Sequence, residues 1–351
     1  MIASKLIIAG GSGFLGQLVA RWFAPLGWDV VSLTRDAGSS VSPARRVTWD
    51  GRSLAGWVEE LDGADALLNL AGRSVNCRYH ARNRQTILHS RLESTRVLGE
   101  AVASCRRPPK VWLNSSTATI YKHTLDRAMD EFNGVIAGTP EAKDQFSVEV
   151  AQAWERVFEE APAPQTRKIT MRTAMVFGTH EGTVYRVLRR LTRLGLGGPI
   201  GGGRQYVSWL HETDFCRAVQ WLIEHQGISG VVNLASPNPV TNRDMMRTFR
   251  GACHMPVGLP ASRWMLEIGM FLLRSESELV IKSRRVVPTR LVDAGFEFQF
   301  PQMKLAVDDL ESRLATGRGL AKNWHLDGGE SPRPENAMTA GTALDSAGGA
   351  D

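Results

Sequence analysis

The stretch Lys5 Leu6 Ile7 Ile8 Ala9 Gly10 Gly11 Ser12 Gly13 Phe14 Leu15 Gly16 constrains this chain more than any other. A short apolar run leads into glycines 10, 13 and 16, and Leu15, Leu18, Val19, Trp22 and Phe23 then recur at helical spacing up to Gly27. The pattern predicts strand, tight turn and helix. Glycine is needed there because the chain bends sharply, the helix packs closely on the strand, and the backbone must approach a pyrophosphate without a Cβ in the way. An anion at that point meets free N–H groups and the positive end of the helix dipole. A glycine pattern alone is weak evidence, but this one has both flanks, since Asp29 Val30 Val31 Ser32 Leu33 follows as a second strand. Gly10, Gly13, Phe14, Leu15 and Gly16 are therefore the first candidate contacts of a dinucleotide.

The second strand runs into Thr34 Arg35 Asp36, where a dinucleotide fold usually places an acid on the adenosine ribose. Arg35 offers a planar fork suited to a 2′-phosphate, which favours NADP(H), whereas Asp36 would serve the 2′-hydroxyl of NAD. Val47 Thr48 Trp49 Asp50 reads as a short third strand. Ala64 to Leu70 reads as a buried strand that delivers Asn69, Leu70, Ala71 and Gly72 to the carboxyl edge of a sheet, the cofactor side of a doubly wound fold. A helix over about Asn83 to Ser104 and a strand Lys110 to Asn114 come next, and that strand enters Ser115 Ser116 Thr117 Ala118 Thr119 Ile120 Tyr121. Such hydroxyls bond a ligand oxygen or cap the next turn, and their place at a strand end favours the ligand. A helix over Gln145 to Ala161 and a strand over Ile169 to Val176 continue the alternation, which predicts parallel βαβ units and an α/β, Rossmann-type doubly wound sheet.

From Thr183 the texture changes. Arg186, Arg189, Arg190 and Arg193 fall on one side of a helix, opposite Val184, Val187, Leu188 and Leu191, and read as a solvated face because no aromatic interleaving accompanies them. The glycines between Gly195 and Gly203 mark a loop or hairpin that suits a lid. Ser208 to Asp214 leads into a helix capped by Thr213 or Asp214, with His211 more in keeping with a structural histidine than with a ligand. Val231 to Ala235 is a late strand, and Thr241 with Asp244 forms a capping box. The expected organisation is a Rossmann domain over 1–180, completed by later strands, a smaller C-terminal lobe over 181–316 forming the substrate cleft, and a disordered tail over 317–351.

Composition excludes several classes. A chain of 351 residues with 43% hydrophobic and 22% charged residues is neither fibrous nor disordered. Its net charge of +6 and pI near 9.3 permit nucleic-acid contact without requiring it. Cys77, Cys105, Cys216 and Cys253 form no C-x-x-C pair and no cluster with histidines, so neither a disulfide framework nor a metal site is indicated and a cytoplasmic protein is expected. The N-terminal apolar run belongs to the first strand rather than to a signal peptide, and Trp264 to Leu273 is interrupted by Glu267 and too short to span a bilayer.

Taken in order, these features resemble the extended and atypical short-chain dehydrogenases, specifically the epimerase-like branch of the NAD-dependent epimerase/dehydratase family that ends in a DUF1731-like segment. Beyond the glycine loop, the likeness is carried by Asn69 to Gly72, Ser90 Arg91 with Thr95, Arg172 Thr173, and Gly201 to Asp214. It continues through Asn238 to Asn242, Pro288 and Leu291 to Phe296, and covers about residues 3–316. The resemblance implies an NADP(H) site at Gly10, Gly13, Phe14, Leu15, Gly16, Arg35, Leu70, Ala71, Gly72 and Ser115, and it places Thr117 at the position of the Ser or Thr that orients substrate.

In catalytic members of the wider superfamily a Tyr-x-x-x-Lys pair does the proton work, the lysine lowering the phenol pKa. Here Tyr79, Tyr121, Tyr185 and Tyr206 are followed four residues on by Asn83, Leu125, Arg189 and Leu210. Where the helix should carry the pair, the chain reads Phe146 Ser147 Val148 Glu149 Val150. Tyr121, with Lys122 beside it, is the expected acid/base, and Glu149 is the alternative. The implied function is NADP(H)-dependent oxidoreductase or epimerase chemistry on a small sugar-like or carbonyl substrate. The competing reading is an NADP(H)-binding regulator acting through a protein partner, as the label "cell-division inhibitor" of some family members implies, and nucleic-acid binding through the arginine-rich helix ranks last.

Overall fold

The computed structural model describes residues 3–35, 43–261 and 281–317. Seven parallel strands form its central sheet. The first half supplies β1 (Lys5–Ala9), α1 (Phe14–Phe23), β2 (Asp29–Thr34), β3 (Arg45–Thr48), β4 (Ala66–Asn69), α2 (Ala81–Ser104) and β5 (Val111–Thr117). It continues through α3 (Gln145–Glu159), β6 (Arg167–Thr173), β7 (Met175–Phe177), α4 (Val184–Leu191), β8 (Tyr206–Val207) and β9 (Trp209–His211). Then come α5 (Glu212–Glu224), β10 (Gly230–Leu234), β11 (Val240–Thr241) and α6 (Asn242–Ala252), with two further helices at Thr289–Asp293 and Met303–Thr316.

The strand order is β10-β6-β5-β4-β1-β2-β3. Each strand of a parallel sheet must be covered on both faces, and β1 shows how the sequence meets that demand. Leu6 and Ile8 face a layer holding Leu18, Val19 and Phe23 of α1 with Phe215 and Val219 of α5, while Ile7 and Ala9 face Val97 and Leu98 of α2 and Phe158 of α3. The order reverses between β1 and β4, so a crevice opens beyond their carboxyl ends. Here the two strand ends are joined: Leu70 N donates to Ala9 O at 2.9 Å.

Elements from beyond residue 180 take part in the central layers. β10 pairs with β6 at the edge of the sheet, and α5 shares a core with α1. The lobe has its own core of Phe177, Tyr185, Trp209, Met246, Phe249, Val307 and Leu310, beside two small sheets pairing β7 with β9 and β8 with β11. The segment after residue 281 stitches the parts together: Arg284 N donates to Tyr206 O at 2.8 Å and Val287 N to Met129 O at 3.0 Å. Lys282 and Asp144, both fully buried, form an ion pair between this segment and the start of α3.

Some local expectations are corrected. The buried residue of α4 is Tyr185, while Val184 and Val187 are 43% and 46% exposed; the helix packs through the aromatic ring rather than through its valines. Two of its arginines are held by acids, Arg186 by Glu181 and Arg189 by Glu311. The N-cap of α5 is His211, whose Nδ1 accepts from Thr213 N at 3.1 Å, and not Thr213 or Asp214. Asp214 is buried and instead accepts from the backbone of Gln299 and Phe300. The Thr241 cap is as predicted, its Oγ1 accepting from Asp244 N at 3.1 Å. Asp36, the Trp264 to Leu273 run and residues 318–351 lie outside the described residues.

Candidate functional site

A cavity of about 530 Å³ opens at the crevice between β1 and β4. Gly10, Gly13, Phe14, Leu15 and Gly16 form one wall, Leu70, Ala71 and Gly72 the next, and Ser115 and Thr117 a third. The fold thus brings together every predicted site residue except Arg35 and Tyr121. All lining residues lie between Gly10 and Trp154, so the C-terminal lobe, expected to form the substrate cleft, contributes none among the described residues. The lobe instead meets the core across a smaller pocket of about 160 Å³, where His123 and Glu141 face Ile200, Arg204 and Gln205.

The three glycines do different jobs. Gly10 has a left-handed φ of 82°, and a Cβ on it would sit 2.9 Å from Ala71 N. A Cβ on Gly16 would lie 2.5 Å from Gly11 Cα, so this glycine lets α1 pack on the turn. Gly13 is different: its Cβ would meet only Gly10 O, at 3.5 Å. Nothing among the described residues requires glycine there, and the space it leaves opens on the cavity. Gly13 is also the N-cap of α1 and supplies no side chain to cap it. An uncapped helix N-terminus behind a side-chain-free cradle fits a pyrophosphate.

Buried amides hold the second wall. Asn69 Oδ1 accepts from Ala71 N at 3.0 Å, while its Nδ2 donates to Asn114 Oδ1 at 2.7 Å and to Thr95 Oγ1 at 3.1 Å. Trp154 Nε1 reaches the same threonine at 2.8 Å. This network ties the ends of β4 and β5 to α2 and α3, and so fixes the Leu70–Gly72 turn. Thr117 lines the cavity and also accepts from Thr119 N at 3.1 Å, so its hydroxyl orientation is set by the turn it caps.

The expected acid/base is corrected. Tyr121 is 2% exposed and does not line the cavity. Its hydroxyl donates to Asn233 Oδ1 at 2.9 Å and accepts from Arg172 Nη1 at 3.0 Å, while Arg172 forks onto Glu155 through Nε and Nη2 at 2.9 and 2.7 Å. Burial pushes the phenol pKa up, the opposite of what a base needs. Glu149 accepts from Gln145 Nε2 at an exposed position and lines no part of the cavity. Arg35 sits exposed just past β2, outside the lining.

The residues missed are those on the inner faces of α2 and α3. Phe146, Val150 and Trp154 line the cavity at helical spacing, so apolar side chains stand where the superfamily pattern expects a tyrosine and a lysine. Tyr79, Ile87 and Arg91 face them, with Tyr79 edge-on to Phe146 at 5.1 Å. The run Ser90 Arg91 to Thr95 signalled the region, but not which side chain would turn inward. Behind the cradle, Glu212 lies beside Phe14 and Gly178, 1% exposed, and burial raises its pKa to about 7. His211, fully buried, has Nε2 3.1 Å from Asp309 Oδ2, and burial lowers its pKa. Among the described residues no group of three metal-ligating side chains exists and no helix is long and apolar enough to cross a membrane.

Comparison with known proteins agrees with this geometry. The NAD dependent epimerase/dehydratase family matches residues 6–235, and a domain of unknown function, DUF1731, matches residues 261–310. Epimerase family protein SDR39U1 of Bos taurus is 27% identical over 87% of this chain and 99% of its own length. Epimerase family protein YfhF of Bacillus subtilis is 28% identical over 87% and 97%. The crystal structure of human SDR39U1 (isoform 2) with NADPH superposes with a TM-score of 0.75 at 26% identity, covering 88% of this chain and 99% of that one. With the family pattern spanning the whole sheet and its glycine crevice, the chain belongs to the NAD-dependent epimerase/dehydratase family.

Proposed function

We propose that this protein binds NADP(H) in the crevice between β1 and β4 and carries out oxidoreductase or epimerase-like chemistry on a small carbonyl or sugar-like substrate. The observation that carries the reading is the open cradle at Gly13, facing a cavity that continues past Ser115 and Thr117 to the apolar wall of Phe146 and Val150. The NADPH in the structure of the human relative supports the choice of cofactor. Bound there, the cofactor supplies or accepts a hydride.

In this reading Gly10, Gly13 and Gly16, with Phe14 and Leu15, receive the pyrophosphate at the α1 N-terminus, and Arg35 takes the 2′-phosphate at the mouth. Leu70, Ala71, Gly72 and Ser115 hold the middle of the dinucleotide. Thr117 orients the reacting oxygen, its hydroxyl prearranged by Thr119 N. The apolar side chains of Val150 and Trp154 exclude water from the reaction. The lobe beyond residue 181 acts as a brace for the core.

Titration calorimetry of NADPH and NADH into the wild-type protein and Arg35→Ala tests this directly. Tight NADPH binding that weakens by about tenfold or more in the variant, with NADH little affected, is the expected result. No binding of either dinucleotide overturns it.

A further inference from the structure

We propose that Arg91 is an oxyanion receptor inside the cavity, taking a phosphate or carboxylate group of the molecule bound there. Two sources can present that group: the cofactor pyrophosphate and an acidic substituent on the substrate. The proposal rests on the reading above for what fills the cavity, though not for the existence of the site.

Arg91 points inward from the middle of α2 and lines the cavity beside Gly72 and Trp154. Its Cζ stands 5.1 Å from the centroid of the Trp154 ring, and a Cβ on Gly72 would come within 3.2 Å of that carbon. Gly72 in turn follows the Leu70–Ala71 backbone that touches Gly10, so the guanidinium is close to the glycine cradle. Its hydrogen bonds to the described residues leave from one nitrogen, Nη1, to Arg73 O at 3.1 Å and Ile87 O at 3.0 Å.

What is missing is a carboxylate. Several other arginines withdrawn from solvent have one: Arg172 forks onto Glu155, Arg189 reaches Glu311, and Arg313 meets Asp309 and Glu212. Arg167, which lacks one, spends both terminal nitrogens on the carbonyls of Leu222, Ile223 and Ile228. Arg91 has no acid partner among the described residues, and its only charge neighbour of note is the Tyr79 phenol. Burial pulls its pKa down to about 10, as expected of a cation partly withdrawn from water without a counter-charge. A planar fork fixed by two carbonyls and a ring, with its remaining donors available to a cavity, is arranged for an oxyanion.

The test compares wild type with Arg91→Met, Arg91→Lys and, as a control on the outer face of the same helix, Arg96→Met. NADPH is titrated into each protein, and inorganic pyrophosphate into the free and the NADPH-saturated forms. If the anion is the cofactor's, pyrophosphate competes with NADPH and Arg91→Met weakens both by about tenfold or more. If it belongs to the substrate, NADPH affinity stays unchanged while pyrophosphate binds the NADPH-saturated wild type and fails to bind Arg91→Met. In either case Arg91→Lys, which keeps the charge and loses the fork, retains part of the binding, and Arg96→Met behaves as wild type. Equal affinities in wild type and a folded Arg91→Met, or equal losses in the Met and Lys variants, overturn the proposal. A wild type that binds pyrophosphate through Arg91 but not NADPH would sink the cofactor reading and leave the anion site standing.

Discussion

The Arg172 guanidinium stands over the Tyr121 ring, 5.0 Å from its centroid, and its Nη1 donates to the phenolic oxygen at 3.0 Å. The pair joins β6 to the loop after β5, with Asn233 of β10 accepting the phenolic proton. Tyr121 is therefore a tie among three strands at the sheet's carboxyl edge. Tyr121→Phe leaves Arg172 Nη1 and Asn233 Oδ1 short of a buried partner, and stability in urea should fall by about 1–3 kcal/mol. NADPH affinity should stay within about twofold of wild type, since truncation of a hydroxyl outside the cavity touches no ligand contact. A large loss of cofactor binding in a stably folded variant would return Tyr121 to the site.

The glycine turn separates folding from binding. Gly16→Ala drives a methyl against Gly11 Cα, 2.5 Å away, and should destabilise the protein by about 1–3 kcal/mol. Gly13→Ala meets only an ordinary contact at 3.5 Å and has a φ of −75°, open to any residue. Thermal unfolding of this variant should match wild type, while NADPH binding drops by at least about tenfold because the methyl occupies the pyrophosphate's space.

Lys282 and Asp144 carry their charges at 0% exposure, with Asp144 Oδ1 also accepting from Thr139 N at 2.7 Å. Lys282→Met strands the carboxylate and should cost about 3–5 kcal/mol. Adding Asp144→Leu removes the orphan charge and should recover a substantial part of that loss. Chemical denaturation of the three proteins measures it, and a double variant no better than the single one contradicts the argument.

Glu212 gives the protein a defined pH response. Its pKa of about 7 lies above the ordinary carboxylate value, so the folded state holds a proton that the unfolded chain has already released between about pH 4.5 and 7. Stability from this group is therefore full at low pH and is lost as pH rises through 7, by about 3 kcal/mol at most. His211 opposes it: its lowered pKa keeps the ring neutral when folded, so falling pH below about 6.5 favours the unfolded, protonated chain. Arg313 and Asp309 face both groups. Glu212→Gln, which needs no deprotonation, should abolish the fall in Tm between pH 5 and 8 and expose the rising limb due to His211. An unchanged Tm profile would refute the assignment.

The sheet and its crevice are legible in the order of residues alone. Strands of a parallel sheet are buried on both faces and read as apolar runs, and the close packing of α1 at Gly16 has a local steric cause in Gly11, so β1, α1, β2 and β4 are legible with their cofactor edge. The cap at Thr241 was legible for the same reason, since a side chain three residues from its N–H acts within one turn. Which side chains meet depends on the folded arrangement. Tyr121 follows the right strand, yet Asn233, 112 residues away in sequence, accepts its hydrogen bond. Arg91 belongs to a run that the sequence marks, but its place in the cavity depends on α3 setting Trp154 against it, and His211 is a cap whose other nitrogen is held by Asp309 of a distant helix. Local steric demands are written in neighbouring residues. The charge and burial of a side chain depend on elements folded onto it from far along the chain, and no spacing in the sequence records them.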